Sequence, residues 1–423
     1  MALIQTKINY GRKFLSLSYL QLRCIQLLFL LFLLLPFKLQ FLKLGLVFSI
    51  VGIAFISGKY TLFRKSFIWG FCMMSFNAFY IVYGMLRGNP GYSYYILTYI
   101  VWPMLFTVLM GAIPICFIPR ITKALKLGVI IIVASGVFAF LYLNLTGQVS
   151  GQILSYKSTI RPGFPFIAIS GPQVTDFLFW FFFLFSFIFL SKKKLDYKDI
   201  LFIGLSIIYI FATSRRILFL NFVIAFVLII IFKGFLPIRR HKIVTRRLKV
   251  SLLYITTFIV IAMIWLMQQG LMDPDALSNF IDKTSAASDA ARTDQMDALI
   301  SGWMDNPILG SGTGVNAGIV RSKIPGNYEL TYVAKLFETG LIGICIYITL
   351  WILLFYWTIK CIAKDNGYIN YAIATITAMA IFMISNATNP YLGAFDYMWF
   401  MYFPFIFINN TPHRKLIKQI SYG

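Results

Sequence analysis

The sequence predicts an all-α, polytopic membrane protein with about twelve transmembrane helices and a large, mostly helical extracytoplasmic loop. Three observations carry that prediction. Hydrophobic residues make up 59% of the 423-residue chain, and the mean hydropathy is +0.80. Charged residues make up 12%, where a soluble globular domain carries about 25%. Apolar runs of helix-forming length recur to the end of the chain, as a protein that crosses a bilayer many times requires.

Bounded by charges, Pro and Gly, the runs fall at 24–37, 40–57, 66–86, 92–117, 125–143, 174–190, 199–213, 216–232, 250–268, 336–359, 368–387 and 393–409. The first follows "KINYGRKFLSLSYLQLR" and continues without a small-residue cleavage pattern, so no cleavable signal peptide is read there. Lys38 and Lys43 crowd the turn between the first two runs. The runs at 199–213 and 216–232 are separated only by Ser214 and Arg215, with Arg216 opening the second. An arginine at a bilayer midplane costs about 2.5–3.5 kcal/mol on insertion scales. Two helices meeting at a membrane surface are therefore expected, not one long span. The resulting organisation is a single membrane domain over 1–423 with two long loops, at 144–173 and 269–335.

Orientation follows from the basic residues. With the N terminus inside, the cytoplasmic segments hold 26 of the 38 Lys and Arg, which places both termini in the cytoplasm. The formal charge of +24 is explained by the same bias and gives no reason to invoke nucleic acid. The five cysteines lie in or beside apolar runs without a CxxC pair, which argues against a disulfide framework or zinc site. His241 and His413, the only histidines, lie in basic stretches, so neither a metal centre nor a histidine base is expected.

In this topology "TSRR" at 213–216 falls on the outer face, against the trend of the other basic residues. Its arginines either snorkel to headgroups or, with the N–H groups of the following helix, form an anion site. In the larger loop, which holds eight of the fourteen acidic residues, "ASDAARTDQMDALISGWMDNPILG" reads as an amphipathic helix. Ser288 or Asp289 caps it and Asn306-Pro307 ends it. Met296, Leu299, Ile300 and Trp303 form its apolar stripe, with Asp294 and Asp297 opposite. Arg292 lies along the stripe, unless the first turn bends away. Gly310, Gly312 and Gly314 lack the Lys-Ser/Thr of a phosphate loop; a tight turn that lets backbone approach a neighbouring helix fits better. In "NYELTYVAKLFETGLIG", Asn327 is a candidate cap, and Glu329 is expected in the first helical turn, where the dipole favours an acid. Glu329 also shares a face with Val333, Leu336 and Gly340, so it is a candidate general base. "DPD" at 273–275 reads either as a metal motif or as a helix start. The smaller loop, stiff with Pro162, Pro165 and Pro172, adds Arg161 as one more outward cation.

Over roughly 150–410 the chain resembles the bacterial O-antigen polymerases, whose superfamily also contains the O-antigen ligases. The resemblance rests on order: Ser214-Arg215 at the outer end of a span, then Arg292, Trp303, "NPILGSGTG" and "ETGLIG", with "NATNP" before the last span as an echo. Family members carry His, Asp or Glu about nine residues before the E-x-G segment. Glu329 holds that place here, and the absence of the ligase His favours a polymerase. The resemblance implies a metal-independent membrane glycosyltransferase without cofactors. Its donor and acceptor would be undecaprenyl-diphosphate-linked oligosaccharides at the outer face of the bacterial cytoplasmic membrane, with a chain-length regulator as a further partner. Arg215 and Arg292, supported by Arg216 and Arg161, would bind the diphosphate, and Glu329 would act as the base. A lipid-linked oligosaccharide flippase or other transporter is the alternative; it should show related halves and acids within spans, whereas no internal repeat is found.

Overall fold

The computed structural model describes residues 2–62, 64–148, 151–160, 166–191, 195–235, 292–319, 326–362, 367–387 and 389–410. It is mostly helical: α1 (Ala2–Leu34), α2 (Gln40–Ile56), α3 (Arg64–Leu86), α4 (Tyr92–Gly111), α5 (Ile118–Thr146), α6 (Gln173–Ser191), α7 (Tyr197–Thr213), α8 (Arg216–Phe235), α9 (292–304), α10 (Thr331–Ile362) and α11 (Ile369–Asn386). Among the described residues, seven helices are long and apolar enough to cross a membrane, within α1, α3, α4, α5, α6, α10 and α11.

The twelve runs do not map one-to-one onto these helices. The run at 250–268, the "DPD" segment and both histidines lie outside the described residues. The run at 393–409 is not one helix but a series of short turns: Tyr391–Gly393, Phe395–Met398, Trp399–Tyr402 and Pro404–Asn410. Pro404 cannot donate to the preceding turn. The dense aromatics there pack on α1 instead, with Trp399 stacked on Phe32 at 5.1 Å. The run at 92–117 stops at Gly111, and Pro114 separates it from the next helix.

The chain forms two compact units. The first comprises Met1–Gly128, Gln295–Met379 and Asn386–Gly423; the second comprises Val129–Asp294 and Ala380–Ser385. In the first unit α4 carries a wide π turn at Leu97–Val101, just before Pro103. Proline has no N–H to offer one turn back, and the Tyr99 carbonyl instead accepts from Asn77 Nδ2 at 3.3 Å. The turn between α1 and α2 uses left-handed Phe37 and Leu39 (φ 62° and 54°). Lys43, which crowded this turn in sequence, lies within α2 and is buried against Asp396.

In the second unit α6, "QVTDFLFWFFFLFSFIFLS", is buried on nearly every face, as a helix apolar all round should be. The loop after α5 was expected to be only a proline-stiff connection. It contains a three-stranded antiparallel sheet, β1 (Gln152–Ile153), β2 (Tyr156–Thr159) and β3 (Ala168–Ser170). Tyr156 anchors it, its hydroxyl donating to the Ile132 carbonyl of α5 at 3.0 Å.

Candidate functional site

Gly340 interrupts α10 with φ 62° and ψ −171°, a conformation that an L side chain rarely adopts. The break withdraws the carbonyls of Phe337 and Glu338, and the N–H groups of Leu341 and Ile342, from pairing along the helix. Within a span such groups must find protein partners. The segment "PILGSGTG" supplies all four. Ser311 N–H donates to Phe337 O at 2.9 Å and Gly312 N–H to Glu338 O at 2.8 Å. Leu341 N–H donates to Pro307 O at 2.9 Å and Ile342 N–H to Ile308 O at 3.2 Å.

Such a splice requires backbones in contact, which explains the glycines. Gly310, Gly312 and Gly314 have φ of 73°, 85° and 80°. A Cβ on any of them would lie 2.5 Å from backbone of Gly340, Gly84 or Gly91 respectively. Toward α3 the loop is held by Thr313 N–H donating to Tyr80 O at 3.0 Å and Asn89 Nδ2 donating to Ser311 O at 2.9 Å. The tight-turn reading of this segment is thus the observed one.

Beside the splice lies an ion pair. Glu338 accepts from Gly314 N–H at 3.1 Å through Oε1 and faces Lys335 Nζ at 3.4 Å through Oε2. Their side chains are 5% and 8% exposed. The Lys335 ammonium sits 4.6 Å from the Tyr99 ring centre, within cation–π range. Both residues line a cavity of about 70 Å³ whose described lining residues all belong to the first unit. Seven of the described residues that line it are tyrosines, Tyr95, Tyr99, Tyr347 and Tyr402 among them. Thr331, the first residue of α10, also lines it, and its hydroxyl is buried with no hydrogen-bond partner among the described residues.

No family model and no curated protein matches this chain. The site must be weighed on its own geometry.

Glu329 is half-buried and precedes α10 by two residues, so it is not in the first turn as expected. The first helical residue is Thr331, which also removes Asn327 from the cap position. The entry to α10 is held by Gln295 of α9, whose Oε1 accepts from the N–H groups of Glu329 (3.1 Å) and Leu330 (3.2 Å). Gln295 is fully buried while Met296 is 41% exposed, so the inward face of α9 runs through Gln295 and Leu299. A glutamine that satisfies orphan N–H groups outcompetes a methionine for that position. α9 ends as expected, with Trp303 Nε1 donating to Pro307 O at 3.0 Å. Tyr328, just before Glu329, donates to Val315 O at 3.0 Å and accepts from Ala317 N–H at 2.6 Å. Burial pushes its phenol pKa up, with the Glu338 carboxylate adding to the effect and the Ala317 hydrogen bond opposing it.

The arginines belong to the second unit. α7 ends at Thr213, Ser214 turns the chain in the left-handed region (φ 48°), and α8 begins at Arg216. Two helices therefore meet at "SR", as the cost of a buried arginine pair demanded. Arg215 is half-buried. Arg292 is half-buried at the start of α9. Arg161 and the side chain of Arg216 lie outside the described residues. The unit boundary falls between Asp294 and Gln295, so Arg215 and Arg292 belong to one unit and Glu329 to the other.

Sequence reading missed Lys335 and Gln295 and took Glu338 only as part of a motif and as an acid near a span end. The available signal was Lys335 and Glu338 three residues apart in an apolar run, because a charge inside a span is functional by default.

Proposed function

We propose that this protein is a membrane glycosyltransferase that polymerises undecaprenyl-diphosphate-linked oligosaccharide repeat units at the outer face of a bacterial cytoplasmic membrane. What supports the reading is the splice at Gly340. "NPILGSGTG" and "ETGLIG", whose order in the chain first prompted it, are bonded into one unit. The same helix begins at Thr331, two residues after Glu329, and that entrance is held by Gln295 of α9. In this reaction an acceptor sugar hydroxyl loses its proton to Glu329 and attacks the donor's anomeric carbon, and the bond from that carbon to the diphosphate breaks. The developing charge on the diphosphate calls for forked donors, the role assigned to Arg215 and Arg292 with Arg216 and Arg161 in support. A chain-length regulator would act with it.

The test is reconstitution of the purified protein with lipid-linked repeat units. The expected product is a ladder of glycan lengths still attached to lipid. Arg215→Lys and Arg292→Lys keep the charge but lose the planar fork, and each should shorten or abolish the ladder at unchanged protein level. A full ladder from both Lys and both Ala variants would refute the assignment of the arginines. Absence of any new glycosidic bond with wild-type protein would refute the glycosyltransferase itself.

A transporter is the second reading, favoured by the buried Lys335–Glu338 pair and by a broken spanning helix, both common where solutes cross membranes. Against it, the four backbone groups released at Gly340 are all taken by "PILGSGTG" and are not offered to an ion or solute. Movement of lipid-linked glycan between leaflets without change in its length would decide for transport.

A further inference from the structure

We propose that the tyrosine-lined cavity of the first unit is a saccharide subsite that receives one edge of an uncharged sugar unit. The inference rests on the glycosyltransferase reading for the identity of the sugar, but the site itself is argued from its walls. Among the described residues that line it, Lys335 and Glu338 alone carry charge. Their charges cancel, so the cavity offers an anion no net attraction. A diphosphate belongs elsewhere. What remains is a mixture of flat aromatic faces with closely spaced donors and acceptors. Tyr99 and Tyr402 present rings and hydroxyls, Glu338 accepts, Lys335 donates, and Asn77 and Thr331 add short polar arms. Sugars display that combination in mirror image, with apolar C–H faces and a rim of hydroxyls.

Two observations point to a ligand. Thr331 lines the cavity, and its buried hydroxyl has no hydrogen-bond partner among the described residues, which leaves a hydrogen-bonding group at the cavity wall for something else to satisfy. The ion pair is only partly occupied by protein. Glu338 has Gly314 N–H and Lys335 as partners, and the Lys335 contact is long at 3.4 Å. At about 70 Å³ the space suits a few waters or one inserted edge of a pyranose-sized ring, not a whole oligosaccharide. Tyr328 borders the cavity and is followed directly by Glu329.

The experiment uses full-length protein in nanodiscs and the free oligosaccharide released by mild acid from the host strain's lipid-linked glycan. Inorganic pyrophosphate serves as the charged competitor, with calorimetry as the readout. Saturable binding of the oligosaccharide is expected, without competition by pyrophosphate. Thr331→Val removes a hydroxyl that bonds nothing among the described residues, so folding should survive. It should weaken binding about tenfold, as loss of one buried hydrogen bond does. Tyr402→Phe keeps the ring and should have a similar effect. No saturable binding by wild type, equal affinity in both variants, or displacement by pyrophosphate would each overturn the subsite. The two proposals fail separately. Polymerisation by wild type with unaltered binding in both variants removes the subsite and keeps the polymerase. Thr331-dependent binding without any polymer removes the polymerase and keeps the subsite.

Discussion

Lys43–Asp396 and Lys335–Glu338 are both buried ion pairs of the first unit, yet the protein treats them differently. Asp396 is sealed, with both partners 0% exposed. It accepts from Lys43, from Gln40 Nε2 at 2.5 Å and from the Phe37 N–H at 3.0 Å, and Lys43 also donates to the Leu35 carbonyl at 2.8 Å. Glu338 has the same kind of cationic partner but a longer contact and fewer donors, and it faces a cavity. Burial of a charge is tolerated when its hydrogen-bonding capacity is filled. In the first pair protein fills it and the result is a tie between the α1–α2 turn and the C-terminal segment. In the second, capacity is left over, and that surplus is what a ligand or water can use.

Removing one partner of each pair should break this comparison if it is wrong. Asp396→Ala strands the Lys43 ammonium in a sealed site, where breaking a buried pair costs about 3–5 kcal/mol. Folded protein recovered in detergent should fall sharply, and the double variant Lys43→Met with Asp396→Leu should regain most of it. Lys335→Met strands a carboxylate that keeps the Gly314 N–H and can draw water from the cavity, so a loss of about 1–3 kcal/mol is expected. Equal losses of thermal stability in Asp396→Ala and Lys335→Met would mean that the two sites are equally sealed.

The contrast also marks what could be read from the chain. The end of α9 at Asn306-Pro307, the break between α7 and α8 at "SR" and the tight turn at "GSGTG" all follow from local chemistry: a proline, a charge in an apolar run, glycines at every second position. The Lys43–Asp396 pair joins residues 353 apart, and no local pattern announces such a partner. Gln295 was hidden for the same reason, since its role depends on the N–H groups of Glu329 and Leu330, more than thirty residues on. The sheet at 152–170 escaped because strands of two to four residues are too short to show alternation. Glu329 was placed one turn too deep because Asn327 looked like a cap, while the actual α10 entrance is organised by a side chain from another helix.

That correction sharpens the third and smallest expected effect on stability. Glu329 is half-buried ahead of α10 and, unlike Glu338, is not among the described residues that line the cavity. A first-turn acid would contribute about 0.3–1 kcal/mol through the helix dipole. Outside that turn the dipole contribution should be no more than the low end, and Glu329→Gln, which keeps the volume and hydrogen bonding, should lower thermal stability less than Asp396→Ala or Lys335→Met. Turnover should behave oppositely. Gln keeps the volume and hydrogen bonding but cannot take a proton from the acceptor hydroxyl, and base catalysis contributes about 10²–10⁴-fold. With purified protein and lipid-linked repeat units, the Gln variant should bind donor lipid normally and elongate slowly, whereas Glu329→Asp should restore part of the rate. Wild-type elongation by Glu329→Gln would remove Glu329 as the base and turn attention to Glu338, the carboxylate within α10. Glu338→Gln can still accept from Gly314 N–H through its amide oxygen, so a loss of elongation in a folded Glu338→Gln protein would then identify the cavity side of the helix break as the reacting side.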